Sequence, residues 1–430
     1  MGLFKNKNKG AISDSSDIEK ELDTKEIKPG AGHWICVAGA FLFLMSTFGF
    51  MSCLGAIQSY LLEHQLKGQG IMKVGWILGL NLLLTLSFSW PISLKADKFS
   101  PITLGVFGAI FSAVTPLLLA QCKEYWHFML CLGIFASIGT SVGAINALGL
   151  VGKLFPPSGR GLAMGVTVSG TSFGGVVFTL ILRATFEKYG WPWSMRIVAL
   201  LIACFTILGL LCWYPLRRLL PLIEEEASDE ESEASVGFTS PTFIITTFGL
   251  CLVEFVLYCT NGHLPGIAKD AGFTTGNQFH LLVMLNGFSC LGRIISGPLG
   301  DTLGPYNTIT GFMLVMIALA ATLFKPSETT KMWIFAALWG YCSGAFAVLS
   351  PLCTGKLCRT QDVTKYFGFT SVCVGITLFA ACPTSGPLLK KFGTQKLAYF
   401  CIGLLGLAAI CFTVAKKFLS KSWGGICKKL

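Results

Sequence analysis

Residues Gly159–Gly175 read GRGLAMGVTVSGTSFGG. Six of these seventeen residues are glycine, none is proline, and Arg160 is the one charge. In a helix surrounded by water each glycine costs about 1 kcal/mol relative to alanine. A chain that keeps so many in one apolar run has a different solvent, or a neighbour that needs the space.

The composition identifies the solvent. The chain has 430 residues, 53% of them hydrophobic and 13% charged. Soluble domains carry about 25% charged residues. A bilayer-crossing helix needs about 20 mostly apolar residues. Twelve such segments are read, at 34–60, 72–95, 101–121, 126–152, 160–186, 190–215, 241–263, 277–300, 306–325, 331–357, 364–388 and 395–416. The expected fold class is therefore an all-α membrane protein of twelve transmembrane helices in two six-helix halves, with the lipid bilayer as solvent.

In lipid the glycines acquire a use. No hydrophobic force draws helices together there, and small-x-x-x-small faces let backbones approach. Gly161, Gly165 and Ser169 make one such face of span 5. Gly170 and Gly174 make a second pair, offset by one position. Helix packing is expected from these five residues, either static or sliding during a conformational change. The same stretch holds a false signal. Gly170-Thr171-Ser172-Phe173-Gly174 matches the hydrolase G-x-S-x-G elbow, which needs a strand–turn–helix context and a histidine partner. Mid-span in an apolar helix it has neither, and no enzyme activity is expected.

The net charge of +11 does not indicate nucleic acid, because no basic stripe interleaved with aromatics occurs. With both termini cytoplasmic, 20 Lys/Arg fall on cytoplasmic segments, 12 on outside loops or outer helix ends, and Arg293 inside a span. That bias follows the positive-inside rule, with Lys390, Lys391 and Lys396 as exceptions. Most of the 17 cysteines, such as Cys53, Cys131, Cys204, Cys251, Cys290 and Cys373, lie within spans without metal-ligand or paired extracellular spacing. They read as small buried hydrophobes with free thiols, so no metal and no cofactor is expected. No G-x-x-x-x-G-K-[ST] loop is present for ATP-driven pumping. The polar, lysine-rich start does not read as a signal peptide.

Five sections result. Residues 1–32 form a polar cytoplasmic tail, 33–215 an N-terminal six-helix half, 216–240 an acidic cytoplasmic linker, 241–416 a C-terminal six-helix half, and 417–430 a basic cytoplasmic tail. The linker has seven acids between Glu224 and Glu233. Like charges at that density repel and stay solvated. Ser228 and Ser232 among them fit a phosphorylation site or a plain spacer. Span 2 ends at Asp97 and span 8 at Asp301, 204 residues apart, each at the exit of the second span of its half. Such a match is what duplicated halves produce.

Several runs carry a resemblance. Arg160, Leu162, Ala163, Gly165, Ser169 and Gly170 in span 5 resemble the monocarboxylate-porter family of the major facilitator superfamily, particularly its fungal branch. So do Trp34, Val37, Gly49, Gly55 and Gln58 in span 1, and Asn286, Gly287, Gly292, Arg293, Gly297 and Asp301 in span 8. The resemblance runs from His33 to Phe418. It implies the major facilitator fold, and a span-8 arginine that binds an anionic substrate. Three family features are absent. The acid expected before span 1 is missing from Lys28–Gly32. Span 1 has no lysine between Trp34 and Tyr60. Ser289 stands where the animal lactate carriers place an aspartate. These departures weigh against proton-linked lactate or pyruvate transport and leave the architecture intact. The superfamily's loop motif is worn too, with Ser93 in place of its first glycine.

Charges at mid-bilayer cost roughly 2.5–3.5 kcal/mol on insertion scales and usually face a cavity. Two fall well inside spans. Glu254 is thirteen residues into span 7, about 20 Å from the cytoplasmic end, and Arg293 is about 12 Å from the same face. Arg293 is expected to bind substrate, its guanidinium offering a fork of donors to a carboxylate. The alternatives are snorkelling and a structural pair. Glu254 is a candidate for proton coupling, since a carboxyl alternately buried and wetted loads and releases a proton. The competing reading is a static ion pair with Arg293. Asn286 and Asn81 are further substrate-binding candidates, although Asn81, Asn146 and Asn286 also suit interhelical bonding. Asp97, Lys98 and Asp301 are expected to form a cytoplasmic gate.

The expected function is secondary active transport of a small organic anion, monocarboxylate-like, by alternating access, with proton coupling left open. One alternative is a carrier of a different solute such as riboflavin. Another is a non-transporting nutrient sensor on the same fold, against which the short tails argue. The expected location is the plasma membrane or, alternatively, the vacuolar membrane. A monomer suffices, and the oligomeric state is left open.

Overall fold

A computed structural model of the chain describes residues 30–96, 98–156, 159–221, 237–270, 275–322, 329–359 and 362–420. Among these residues the regular structure is helical and no strand occurs. Helix α1 runs Ala31–Met51 and continues past a short turn as Leu54–Glu63; α2 is Ile71–Ala96, α3 Pro101–Leu119 and α4 Tyr125–Leu154. Arg160–Cys212 is 53 residues long, more than twice what one crossing needs. It breaks at Gly190, where φ is 69° and ψ is −177°, a conformation open to glycine because it lacks a Cβ. The break divides it into α5 (160–189) and α6 (191–212). Beyond the acidic segment come α7 (Pro241–Asp270), α8 (Thr275–Leu303), α9 (Pro305–Thr322) and α10 (Thr329–Gly355). Val363–Ser420 breaks in the same way at Gly393, φ 74°, giving α11 (363–392) and α12 (394–420).

Ten helices in this set are long and apolar enough to cross a membrane, and Pro305–Ala321 is a shorter apolar one. Counting the two sides of Gly190 separately brings the crossings to the twelve expected. The connections differ from expectation at two places. Where the sequence suggested short loops after spans 5 and 11, helix runs up to a single glycine. The two glycines stand 203 positions apart, close to the Asp97–Asp301 spacing.

Local chemistry explains the helix ends. Ser100 caps α3, its Oγ accepting from Thr103 N at 3.1 Å with Pro101 at the first helical position. The cap satisfies a donor that the first turn leaves orphaned, and proline loses nothing there. Within α4, Met129–Phe135 is wound as a π-helix, a bulge that loosens the local hydrogen-bond ladder.

The buried apolar residues divide along the chain. One cluster draws on residues between Phe243 and Ala415, with Tyr306, Trp339 and Phe412 among its largest members. A second lies between Phe50 and Ile202 and includes Phe128, Phe178 and Trp191. A third centres on Phe43 and Trp213, stacked at 5.2 Å, and takes in Val348 from α10. Large apolar side chains point outward along single faces, such as Val106, Phe107, Ile110, Val114 and Leu117 on α3 and Leu200, Ile207, Leu208 and Leu211 on α6. In water such faces would aggregate; against acyl chains they are at home.

Candidate functional site

The glycine-rich stretch Gly159–Gly175 packs against two neighbouring helices. A Cβ on Gly170 would strike the Phe41 carbonyl oxygen, and one on Gly174 the Met45 carbonyl oxygen, both on α1. A Cβ on Gly161 would strike the Gly297 carbonyl oxygen, and one on Gly165 that of Arg293, both on α8. The one-position offset between the two pairs thus turns them to different helices. Both contacts depend on bare backbone, as small-residue packing requires.

The α5–α8 contact is an antiparallel seam. At one end both carboxylate oxygens of Asp301 accept from Gly161 N, at 3.1 and 3.0 Å. This places a negative charge at the positive end of the α5 dipole. Next come Gly161 against Gly297 and Gly165 against the Arg293 backbone, then the Cys290 thiol donating to the Ser169 carbonyl at 3.9 Å. Ser172 Oγ donates to Ser289 Oγ at 3.3 Å. Farther along, Asn286 Oδ1 lies 3.8 Å from where a Gly175 Cβ would be, while its Nδ2 donates to Leu282 O of its own helix at 3.1 Å.

Arg293 sits in the middle of this seam. Its Nη1 donates to Val168 O at 2.9 Å and also to Thr171 Oγ1, both on α5. Its Nε is buried with no partner, and among the described residues Nη2 makes no hydrogen bond. The guanidinium therefore faces the neighbouring helix rather than the lipid or the membrane surface. It keeps donors that the protein leaves unused, although an unsatisfied buried donor costs about 1–3 kcal/mol.

Glu254 is half-buried on α7. Its carboxylate and the Arg293 guanidinium interact electrostatically, yet no ion pair within 4.0 Å joins them. The static pair that the sequence allowed is not formed, because the α5 carbonyl and hydroxyl hold the guanidinium instead. Cys251, on the same helix as Glu254, clusters with Val374 and Leu378 of α11, packed against Leu86, Tyr258 and Cys373.

The remaining sequence candidates are placed as follows. Asn81 is fully buried and turns into α4. Its Nδ2 donates to Leu132 O of the π segment at 2.6 Å and to Ser137 Oγ at 3.2 Å. It does not join Arg293. Asn146 Nδ2 donates to Pro101 O at 2.7 Å, tying α4 to the start of α3. Lys98 is exposed. Asp97 lies outside the described residues, as do the acidic run 222–236 and both tails, 1–29 and 421–430. Ser172 pairs with another serine, so the G-x-S-x-G match has no catalytic surroundings.

Sequence reasoning missed Thr171, Ser289 and the Val168 carbonyl as partners across the seam. It also missed a second seam. On α2 a row of Asn81, Thr85, Ser89 and Ser93 is buried, and Ser137 and Ser141 of α4 donate to its carbonyls. Its Ser93 end meets α11, where a Cβ on Gly368 would lie 3.1 Å from Ser93 Cβ. Aromatic contacts continue that seam, Trp90 with Phe369 and Trp76 with Phe379, each at 5.3 Å.

Comparison with known proteins fits this geometry. The riboflavin transporter MCH5 of Saccharomyces cerevisiae is 24% identical over 436 residues, covering 94% of this chain and 83% of that protein. MFS-type transporter 1 of an Ophiocordyceps species is 26% identical, covering 89% and 85%. The aspyridones efflux protein apdF of Emericella nidulans is 24% identical, covering 85% and 73%. Among solved structures, the proton:xylose symporter XylE matches with a TM-score of 0.67 at 11% identity, covering 88% of this chain and 94% of XylE. That likeness speaks to fold alone. Residues 36–381 match the family's own sequence pattern. With its helical architecture and its two glycine-built seams, the chain belongs to the Major Facilitator Superfamily of transporters.

Proposed function

We propose that this transporter carries a small organic anion of monocarboxylate type by alternating access, and that Arg293 receives the anionic group. The observation that carries the reading is the state of the guanidinium. It is held between α5 and α8 with Nε unpartnered. A carboxylate entering the seam would take up those donors in a bidentate pair, the geometry for which arginine is suited. Glu254, near but not bonded to that cation, is the candidate group for coupling transport to protons. Asn286 stands two turns along the same helix and would contact the remainder of the solute. Asn81 acts instead as interhelical glue, since its donors are committed to α4. Residues 33–215 and 241–416 form the two moving halves, with both termini cytoplasmic, in the plasma membrane or alternatively the vacuolar membrane.

A second reading is a larger or different solute. Its support is the printed names of the relatives, a riboflavin transporter and an efflux protein for aspyridones among them. Uptake into proteoliposomes by the purified chain separates the two. The panel holds labelled monocarboxylates and riboflavin, with and without a pH gradient. Arg293→Ala should weaken anion uptake about 10- to 100-fold in apparent affinity, the equivalent of the ~1.5–3 kcal/mol of a hydrogen bond to a charged group. The variant should keep the wild-type elution profile. Wild-type anion kinetics in Arg293→Ala would remove this residue from the site. Riboflavin uptake without anion uptake would favour the second reading.

A further inference from the structure

Nothing in the spacing of the cysteines pairs any of them, but folding brings two together. Cys122 lies in the turn after α3 and Cys131 within the π segment of α4. The Cys122 thiol donates to Cys131 Sγ at 3.5 Å. Both are free thiols, Cys122 buried and Cys131 half-buried. Among the described cysteines no other sulfur–sulfur contact of this length occurs. Disulfide sulfurs are about 2.05 Å apart, so about 1.5 Å of approach separates this contact from a covalent bond.

The surroundings hold the pair in place. Trp191 Nε1 donates to Leu119 O at 2.8 Å, fixing the end of α3 against α6. Tyr125 OH donates to Lys73 O at 2.9 Å, fixing the start of α4 against α2. Asn81 Nδ2 donates to Leu132 O, the residue after Cys131. The two sulfurs thus sit on elements anchored separately, and the π segment has the looser hydrogen-bond ladder that permits a small shift. They lie at the end of the bundle far from the Asp301–Gly161 contact. With cytoplasmic termini, as proposed above, that end faces the extracytoplasmic side, where disulfides persist.

We infer that Cys122 and Cys131 are a disulfide-forming pair, a modification site that staples the end of α3 to the π segment of α4. The chemistry is thiol–disulfide exchange with a small-molecule disulfide. The Cys131 thiolate attacks one sulfur of the reagent and expels a thiolate. The Cys122 thiolate then attacks the Cys131 sulfur of the mixed disulfide and expels the second thiolate. Two protein thiols are oxidised, the reagent is reduced to two small thiols, and those thiols take up the two protons.

The test uses the purified full chain and dithiodipyridine, a small disulfide reagent. After oxidation, remaining thiols are alkylated, the chain is digested without reductant, and peptides are identified by mass. A peptide pair joined through Cys122 and Cys131, lighter by two hydrogens and released by dithiothreitol, is the expected result. Cys122→Ser should abolish it and leave Cys131 as the mixed disulfide with the reagent, with no partner thiol to resolve it. Equal alkylation of both cysteines with and without oxidant would overturn the inference, as would cross-linking of either to a different cysteine. The primary reading comes from the unsubstituted chain, so a folding defect in the variant does not decide it. Neither result bears on Arg293 or on the transported solute.

Discussion

Arg293 and Glu254 stand out in the sequence because a charge in an apolar run contradicts its surroundings, and that contradiction needs no structure to be seen. What each touches is a different matter. Thr171 and Ser289 are uncharged, fit any apolar helix, and carry no mark of depth or direction. The Val168 carbonyl has no side-chain signature at all. Only the packing of α5 on α8 shows that Arg293 donates to that carbonyl rather than to Glu254. The separation of the two charges has a consequence. A carboxylate locked to a guanidinium would stay ionised throughout the cycle, whereas one that is near it but unbonded remains available for protonation as solute and water exchange around it. Glu254→Gln should therefore abolish the response of uptake to an imposed pH gradient while solute exchange at equal pH continues. Uptake in proteoliposomes with and without the gradient measures both. An unchanged gradient response in the variant would exclude Glu254 as the proton carrier.

At the scale of the element, α5 shows what a sequence pattern can and cannot encode. The small-residue spacing at Gly161, Gly165, Gly170 and Gly174 announces close packing, and the one-residue offset announces two faces. It does not say which helices fill them, because partner choice depends on the whole bundle. The structure assigns the first face to α8 and the second to α1. These contacts differ in kind. α1 and α5 both precede the acidic segment, whereas α5 and α8 lie on opposite sides of it. If the sections on either side move as units, the α1 face is fixed packing and the α8 face opens and closes. Overpacking costs about 1–3 kcal/mol, and the place where that cost falls distinguishes the faces. Gly174→Leu should lower the melting temperature and the yield of monodisperse protein. Gly165→Leu should leave the melting temperature near wild type and suppress uptake, because the added side chain meets the Arg293 backbone and wedges the seam. Equal destabilisation by both substitutions would show that the α8 face is static packing. The break at Gly190 was legible only in part. A glycine between two apolar runs suggests a turn, but its positive φ and the absence of a loop follow from how tightly α5 and α6 are joined.

For the whole molecule, the twelve crossings and the central acidic segment were readable because hydrocarbon thickness sets helix length. The state of the bundle was not readable, since one sequence serves every state of a transport cycle. Here two seams between the sections are closed. The first runs along α5 and α8 from Asp301–Gly161 to the neighbourhood of Asn286 and Gly175. The second runs along α2 and α11 from Ser93–Gly368 to Trp76–Phe379. A solute bound between the halves can leave only if one end of these seams parts, and a carrier that alternates must part each end in turn. The Ser93–Gly368 contact offers a direct test, because a Cβ on Gly368 would lie 3.1 Å from Ser93 Cβ, close to the Cβ separation of about 3.5–4.5 Å in a disulfide. Ser93→Cys with Gly368→Cys, oxidised, should reduce uptake to the background of empty vesicles, and dithiothreitol should restore it. Each single cysteine variant should be insensitive to the oxidant beyond the wild-type response. Should the cross-linked double variant transport at the rate of its reduced form, the α2–α11 seam does not open during the cycle, and solute must enter and leave by a route that keeps Ser93 and Gly368 together.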